Sequence, residues 1–111
     1  MIEKIVIKYL NEVQNIPVFA EVPETPPTEF IVVEKTSGGR NNHINNSSIA
    51  VQSYSNTLLG AADINELMKG YMLSLVSLSE VSRVILNSDY NYTDTSTKRY
   101  RYQAVYDIVH Y

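Results

Sequence analysis

His43 and His110 are the only side chains in this chain whose ordinary pKa suits proton transfer near neutral pH, so any serine- or threonine-based nucleophile would have to take its base from them. His43 stands in the run Arg40-Asn41-Asn42-His43-Ile44-Asn45-Asn46, and His110 is the penultimate residue of the last alternating segment. Neither belongs to a recognisable nucleophile motif, which favours surface histidines bonded to solvent or to a neighbouring subunit. They do not make a zinc site either, because zinc takes three or four ligands and no close His/Asp/Glu cluster surrounds them. Asn87-x-Asp89-x-Asn91 mimics the first three ligand positions of a calcium loop, but Tyr92 stands where the glycine is needed and Lys98 where the bidentate glutamate is needed. Gly38-Gly39-Arg40 lacks the further glycines, the Lys-Ser/Thr pair and the following helix of a phosphate-cradling loop, and reads as a turn. Glu21, Glu24 and Glu29 cluster around prolines and read as solvated, with no apolar pocket to raise a carboxyl pKa. No catalytic residue, cofactor or metal site is expected, and an enzyme is not the expected class.

The elements that would position these residues follow from periodicity. Ile2, Ile5, Val6, Tyr9, Leu10 and Val13 form one stripe of a helix over residues 1–13. Val18 to Val22 is a short strand stopped by Pro23 and the pair Pro26-Pro27, and prolines place it at a sheet edge. Phe30 to Lys35 is apolar on both faces until Glu34, as an interior strand would be. A Gly/Asn-rich connection, Ser37 to Asn46, then leads to a strand over Ile49 to Tyr54; it reads as a long polar loop where a two-residue turn would serve. A second helix runs from Ser55 or Asn56, either of which can cap it, to Ser77, weakened locally by Gly60 and Gly70. Val81 to Leu86 and Arg99 to Tyr111 are strands joined by a hairpin over Asp89 to Lys98. The last strand alternates Tyr100, Tyr102, Ala104, Tyr106, Ile108 and His110 with Arg101, Gln103, Val105, Asp107, Val109 and Tyr111. The expected fold class is α+β: a mainly antiparallel sheet of about five strands, with two helices on one face, in the order α-β-β-β-α-β-β.

Composition sets the bounds on function. The 111 residues, 44% apolar and 19% charged, suffice for one domain over residues 1–111 and one core. The absence of cysteine excludes disulfides and thiol chemistry and suits a reducing compartment. The first residues interleave charge with apolar side chains rather than building a signal peptide, and no apolar run reaches membrane-spanning length, so a soluble chain without membrane contact is expected. A net charge of −3 argues against nucleic acid as the main partner. The charge is uneven: residues 1–34 hold six acids against Lys4 and Lys8, whereas residues 35–111 hold seven bases and six acids. Such asymmetry helps orient neighbours in a head-to-tail ring, and is equally compatible with plain solvated surface.

Nine tyrosines and no tryptophan stand in the chain, and Tyr90, Tyr92, Tyr100, Tyr102 and Tyr106 fall in the last hairpin, interleaved with Lys98, Arg99 and Arg101. Tyrosine and arginine are enriched at the cores of protein interfaces, and the same set can stack single-stranded nucleic acid or simply pack beneath helices. The order of elements, with the runs Ile31-Val32-Val33-Glu34-Lys35-Thr36, Ile49-Ala50-Val51-Gln52-Ser53-Tyr54 and Ala61-Ala62-Asp63-Ile64-Asn65-Glu66-Leu67, resembles the small tail-terminator and tail-completion proteins of long-tailed bacteriophages and prophages of Gram-positive bacteria. The likeness covers nearly the whole chain and rests on overall pattern, since these proteins carry no invariant chemical motif. It implies a structural virion protein, assembled in the host cytoplasm, that forms a ring of about six subunits at the head-proximal end of the tail tube. Its implied partners are further copies of itself, the tail tube protein and the head-neck connector, with DNA passing through the ring without sequence-specific contact. Arg40, Asn41, Asn42 and His43 in the Gly/Asn-rich connection, with Tyr90, Tyr92, Arg99 and Arg101 in the last hairpin, are the expected subunit or tube contacts. A neck or head-closure protein of the same virion is the near alternative, and a small ligand-binding regulatory α+β module the distant one.

Overall fold

In the computed structural model, which describes residues 1–41, 43–97 and 99–111, the chain is an α+β domain. Helix α1 (Ile2–Val13) is followed by strands β1 (Val18–Phe19), β2 (Phe30–Asn41) and β3 (Ile44–Ser55). Helix α2 (Leu58–Leu73) continues into a 3-10 turn, Ser74–Ser77, before strands β4 (Val81–Asn91) and β5 (Tyr100–His110). The sheet order is β1-β2-β3-β5-β4, with β1 parallel to β2 and all other neighbours antiparallel. The expected order of elements and the edge position of the Val18 strand both hold.

Each element has a local cause. In α1, Ile2, Val6 and Leu10 recur every fourth position and are buried, which turns one side of the helix onto the sheet. The helix ends where the Gln14 side chain takes over: its Nε2 donates to the carbonyls of Leu10 and Ile16, and its Oε1 accepts from the Ile16 amide. One turn back, Asn11 grips Val18 through both backbone groups, at 3.2 and 3.1 Å, so α1 itself holds β1 in place. Helix α2 is capped by Thr57, whose hydroxyl accepts from the Gly60 amide at 3.0 Å. The cap is therefore neither Ser55 nor Asn56, because pairing with Tyr100 keeps Ser55 in the sheet.

The largest difference from the sequence reading lies between Ser37 and Asn46. Ser37 to Asn41 and Ile44 to Asn46 are strand, with Ser37, Gly38, Gly39 and Arg40 pairing with Ser48, Ser47, Asn46 and Asn45. Strand β2 ends only at Asn41 and β3 begins at Ile44. Between these strands His43 takes the left-handed conformation, φ 67°, that a tight reversal requires. Low strand propensity at Gly38, Gly39 and the asparagines is overridden because β5 pairs along β3 as far as Asn45. Gly38-Gly39-Arg40 is correspondingly strand and not turn.

Both helices cover one face of the sheet. Ile2, Val6 and Leu10 of α1, Ile64, Met68 and Met72 of α2, and Ile31, Val33, Ile49, Val51, Tyr106 and Ile108 of the sheet belong to a single buried cluster. The other face carries no helix; Phe30, Val32 and Tyr54 form a separate small cluster there, with Phe19 against it.

Candidate interaction surface

Register brings the side chains of the helix-free face into rows. Phe30 lies opposite Tyr54, and Tyr54 opposite Arg101. The Phe30 and Tyr54 rings stack 4.4 Å apart at 7°, and Phe19 meets Phe30 edge-on at 6.2 Å. The Arg101 guanidinium lies 5.5 Å from the centre of the Tyr54 ring and 4.5 Å from that of Tyr92, between the two. It also donates to the Tyr54 hydroxyl and, through Nε, to the Tyr92 carbonyl, both at 2.9 Å. Tyr90 meets Tyr92 edge-on at 5.8 Å. A continuous ladder of rings and one cation thus crosses the sheet from β1 to the end of β4.

The next row is polar and closed on itself. Gln52 donates to Gln103 at 2.8 Å, and Gln103 donates to the Tyr90 hydroxyl at 2.6 Å. These glutamines are 7% and 8% exposed, so pairing meets the demand of buried amides for partners. Tyr90 and Tyr92, at 40% and 46% exposed, present the outer end of the ladder to solvent. Arg99, paired in an isolated bridge with Asp94, lines a shallow cleft of about 210 Å³ with Pro26, Pro27, Phe30 and Tyr54.

The residues expected at contacts therefore fall into two groups at opposite ends of the sheet. Tyr90, Tyr92, Arg99 and Arg101 gather at the β4–β5 hairpin end. Arg40, Asn41 and His43 sit at the β2–β3 tip, where Arg40 Nη2 and His43 Nδ1 are 3.2 Å apart. Asn42, from the same expected group, and Lys98 lie outside the described residues. Sequence reasoning missed Phe30 and Tyr54 at the centre of the ladder and the Gln52–Gln103 pair. The signal for both was parity: Phe30, Val32, Gln52 and Tyr54 occupy the alternate positions of their strands.

No family model and no curated protein matches the chain.

His110 is not on the surface. It is 7% exposed, and its Nε2 lies 2.8 Å from Ser47 Oγ, at 3% exposed. Burial pushes the imidazole pKa below its ordinary value and keeps it neutral near pH 7. The neighbouring serine, Ser48, donates to Asp107 on the other face of the sheet at 2.8 Å. Strand alternation thus sends the serine–histidine contact and the serine–aspartate contact to opposite faces, and no relay of nucleophile, base and acid is assembled there. The Asn87, Asp89 and Asn91 side chains also diverge: Asn87 donates to Asp107, Asp89 accepts from Asn65 and pairs with Lys69, and Asn91 accepts from Thr93. Among the described residues no group of three or more His, Cys, Asp or Glu side chains converges as a metal site.

Lys69 is the electrostatic centre beneath α2. It pairs with Asp89 of β4 and with Glu66 one turn back. The hydrogen bond to Asp89, then that to Glu66, raises the lysine pKa, and the bond from Lys69 lowers that of Asp89. Asn65 adds a 3.0 Å bond to the same carboxylate. This group clamps α2 to the outermost strand and is structural.

Proposed function

We propose that the chain is a ring-forming virion assembly protein that closes the head-proximal end of a phage tail tube and docks it to the neck of the head. The observation that carries this reading is the helix-free face, where an aromatic ladder with an embedded arginine ends in exposed Tyr90 and Tyr92. Large aromatic area joined to a pre-organised guanidinium is the composition of a protein-binding surface. The likeness of the strand and helix runs to tail-terminator proteins supplies the biological setting. The partners on this reading are further copies of the chain, the tube protein and the neck connector, and the place of action is the virion. The mechanism is stoichiometric: each subunit folds in the host cytoplasm, and the tube end recruits a closed ring that stops further addition.

Light scattering across a concentration range, with negative-stain imaging of the largest species, tests the reading. A closed ring of about six 12.6 kDa chains, about 75 kDa, is the expected species. A protein that stays monomeric at every concentration, and that leaves the ends of isolated tail tubes uncapped, would overturn it. A ring that binds the neck and ignores tubes would move the protein to head closure.

A further inference from the structure

Residues 20–29 join β1 to β2 and hold three prolines, Pro23, Pro26 and Pro27, with three acids, Glu21, Glu24 and Glu29, and no base. All three glutamates are exposed, and no ion pair engages them among the described residues. Proline fixes its own φ near the polyproline II value and restricts the residue before it. Val22 to Pro27 therefore has few conformations to lose on binding, which favours its use as a ligand. One half of the segment already shows what it packs against, since Pro26 and Pro27 line the cleft with Phe30, Tyr54 and Arg99 of the same chain. The other half, Val22-Pro23-Glu24, leaves Val22 37% exposed beside the free carboxylate of Glu24.

The far edge of the same sheet carries the complementary set. The Tyr90 and Tyr92 rings meet at 87° and are held from behind, Tyr90 by the bond from Gln103 to its hydroxyl and Tyr92 by the Arg101 guanidinium against its ring. Residues 90–101 hold three bases, Lys98, Arg99 and Arg101, against the one acid Asp94, a net of +2, whereas residues 20–29 with three acids and no base carry −3. Asp94 is turned into its own loop, where it accepts from the Ser96 amide and hydroxyl at 3.0 and 2.7 Å. Paired aromatic rings are the surface on which polyproline II segments dock, and opposite net charge orients the encounter. We propose that the Val22-Pro23-Glu24 half of the β1–β2 segment of one copy docks on the Tyr90/Tyr92 rim of a second copy, with its glutamates toward Arg99 and Arg101. Strands β1 and β4 are the two edges of the sheet, four strand spacings or about 19 Å apart. Each copy thus offers a donor at one edge and an acceptor at the other, so the contact is head-to-tail and repeats from copy to copy, closing a ring or extending a filament. This inference rests on the self-assembly of the proposed function and names its contact.

Two variants of the full chain test it. Glu24→Lys reverses an exposed donor charge and Tyr92→Ala removes an acceptor ring; each is expected to weaken self-association by about tenfold or more. Glu24→Lys, being at an exposed loop position, is expected to leave the thermal midpoint unchanged. Mixing the two is the decisive step, because the intact segment of the Tyr92→Ala chain meets the intact rim of the Glu24→Lys chain. The mixture is expected to give a one-to-one pair by light scattering that does not grow into a ring. Unchanged association of Glu24→Lys, or a mixture that pairs no better than either variant alone, overturns the contact. If the wild-type ring is present while either of those results is found, ring assembly stands and this interface falls. A wild-type chain that never self-associates removes both.

Discussion

The two faces of the sheet solve the same burial problem differently. On the helix-covered face, Ile49, Val51, Tyr106 and Ile108 are sealed by Met68, Met72 and Leu75, and the layer is apolar packing with the part-exposed Lys69–Asp89 pair at its edge. On the other face Phe30 and Tyr54 reach 2% and 4% exposure with no helix above them. They are shielded by one another, by Phe19 and by the flat guanidinium of Arg101. A sheet face can therefore be dry at its centre without a second layer, provided rings and a planar cation tile it and its amides pair. What remains exposed is the rim, Tyr90 and Tyr92, which is the part available to a partner.

The sharpest way to separate the two faces is to remove equal bulk from each. Ile49→Ala on the covered face leaves a cavity in close-packed surroundings and is expected to cost about 3 kcal/mol, read by denaturant unfolding. Arg101→Met on the bare face keeps the stem and removes both ring contacts and both hydrogen bonds, with an expected cost of about 2 kcal/mol. Arg101→Lys should recover little of this, because an ammonium lacks the planar fork that lies between two rings. If Arg101→Met cost nothing, the ladder would be surface decoration and the bare face would not be a pre-organised platform.

The helices, the order of elements along the chain and the placement of apolar residues were legible because a period of four or of two is written directly in Ile2, Val6, Leu10 and in the alternation of β5. The extent of the central hairpin was not legible. Ser37 to Asn46 is polar and rich in glycine and asparagine, and such residues form strand only because a neighbour already paired further along holds them in register. His110 was misplaced for a related reason: its exposure is decided by Ser47, which lies far away in sequence and next to it across the sheet only once the hairpin is extended. Half of the candidate surface was visible as a cluster of tyrosine and arginine near the end of the chain. Its other half, Phe30 and Tyr54, needed the pairing of three strands.

The covered face also holds a proton-dependent weak point. The His110 imidazole has a folded-state pKa below its ordinary 6.5, so the unfolded chain binds the proton first. Its contribution to stability is complete above about pH 6.5 and is lost as pH falls through that value toward the folded pKa. Groups around it are Ser47, the Tyr111 backbone, Lys35, the N-terminus and Glu3. Thermal midpoints measured from pH 7 to pH 5 should fall for the wild type, and should fall less for His110→Gln. Equal slopes for the two proteins would place the titrating group elsewhere.

The smallest effect is expected at the most deeply buried tyrosine. Tyr106 has no exposed surface, its hydroxyl has no hydrogen-bond partner among the described residues, and burial pushes its pKa up. Asn65 Oδ1, on α2, is similarly without a partner among the described residues. Deleting a hydroxyl that is both desolvated and unpaired removes a cost and leaves the ring packing intact, so Tyr106→Phe should change stability by less than about 0.5 kcal/mol or raise it. On the bare face the analogous change, Tyr54→Phe, deletes an acceptor that Arg101 uses and should cost about 1 kcal/mol. The contrast between these two single-atom deletions, measured by the same unfolding experiment, asks whether tyrosine serves as a hydrocarbon under the helices and as a polar anchor on the open face. A loss of more than about 1 kcal/mol for Tyr106→Phe would show that its hydroxyl is bonded in solution, and the two faces would then use tyrosine in the same way.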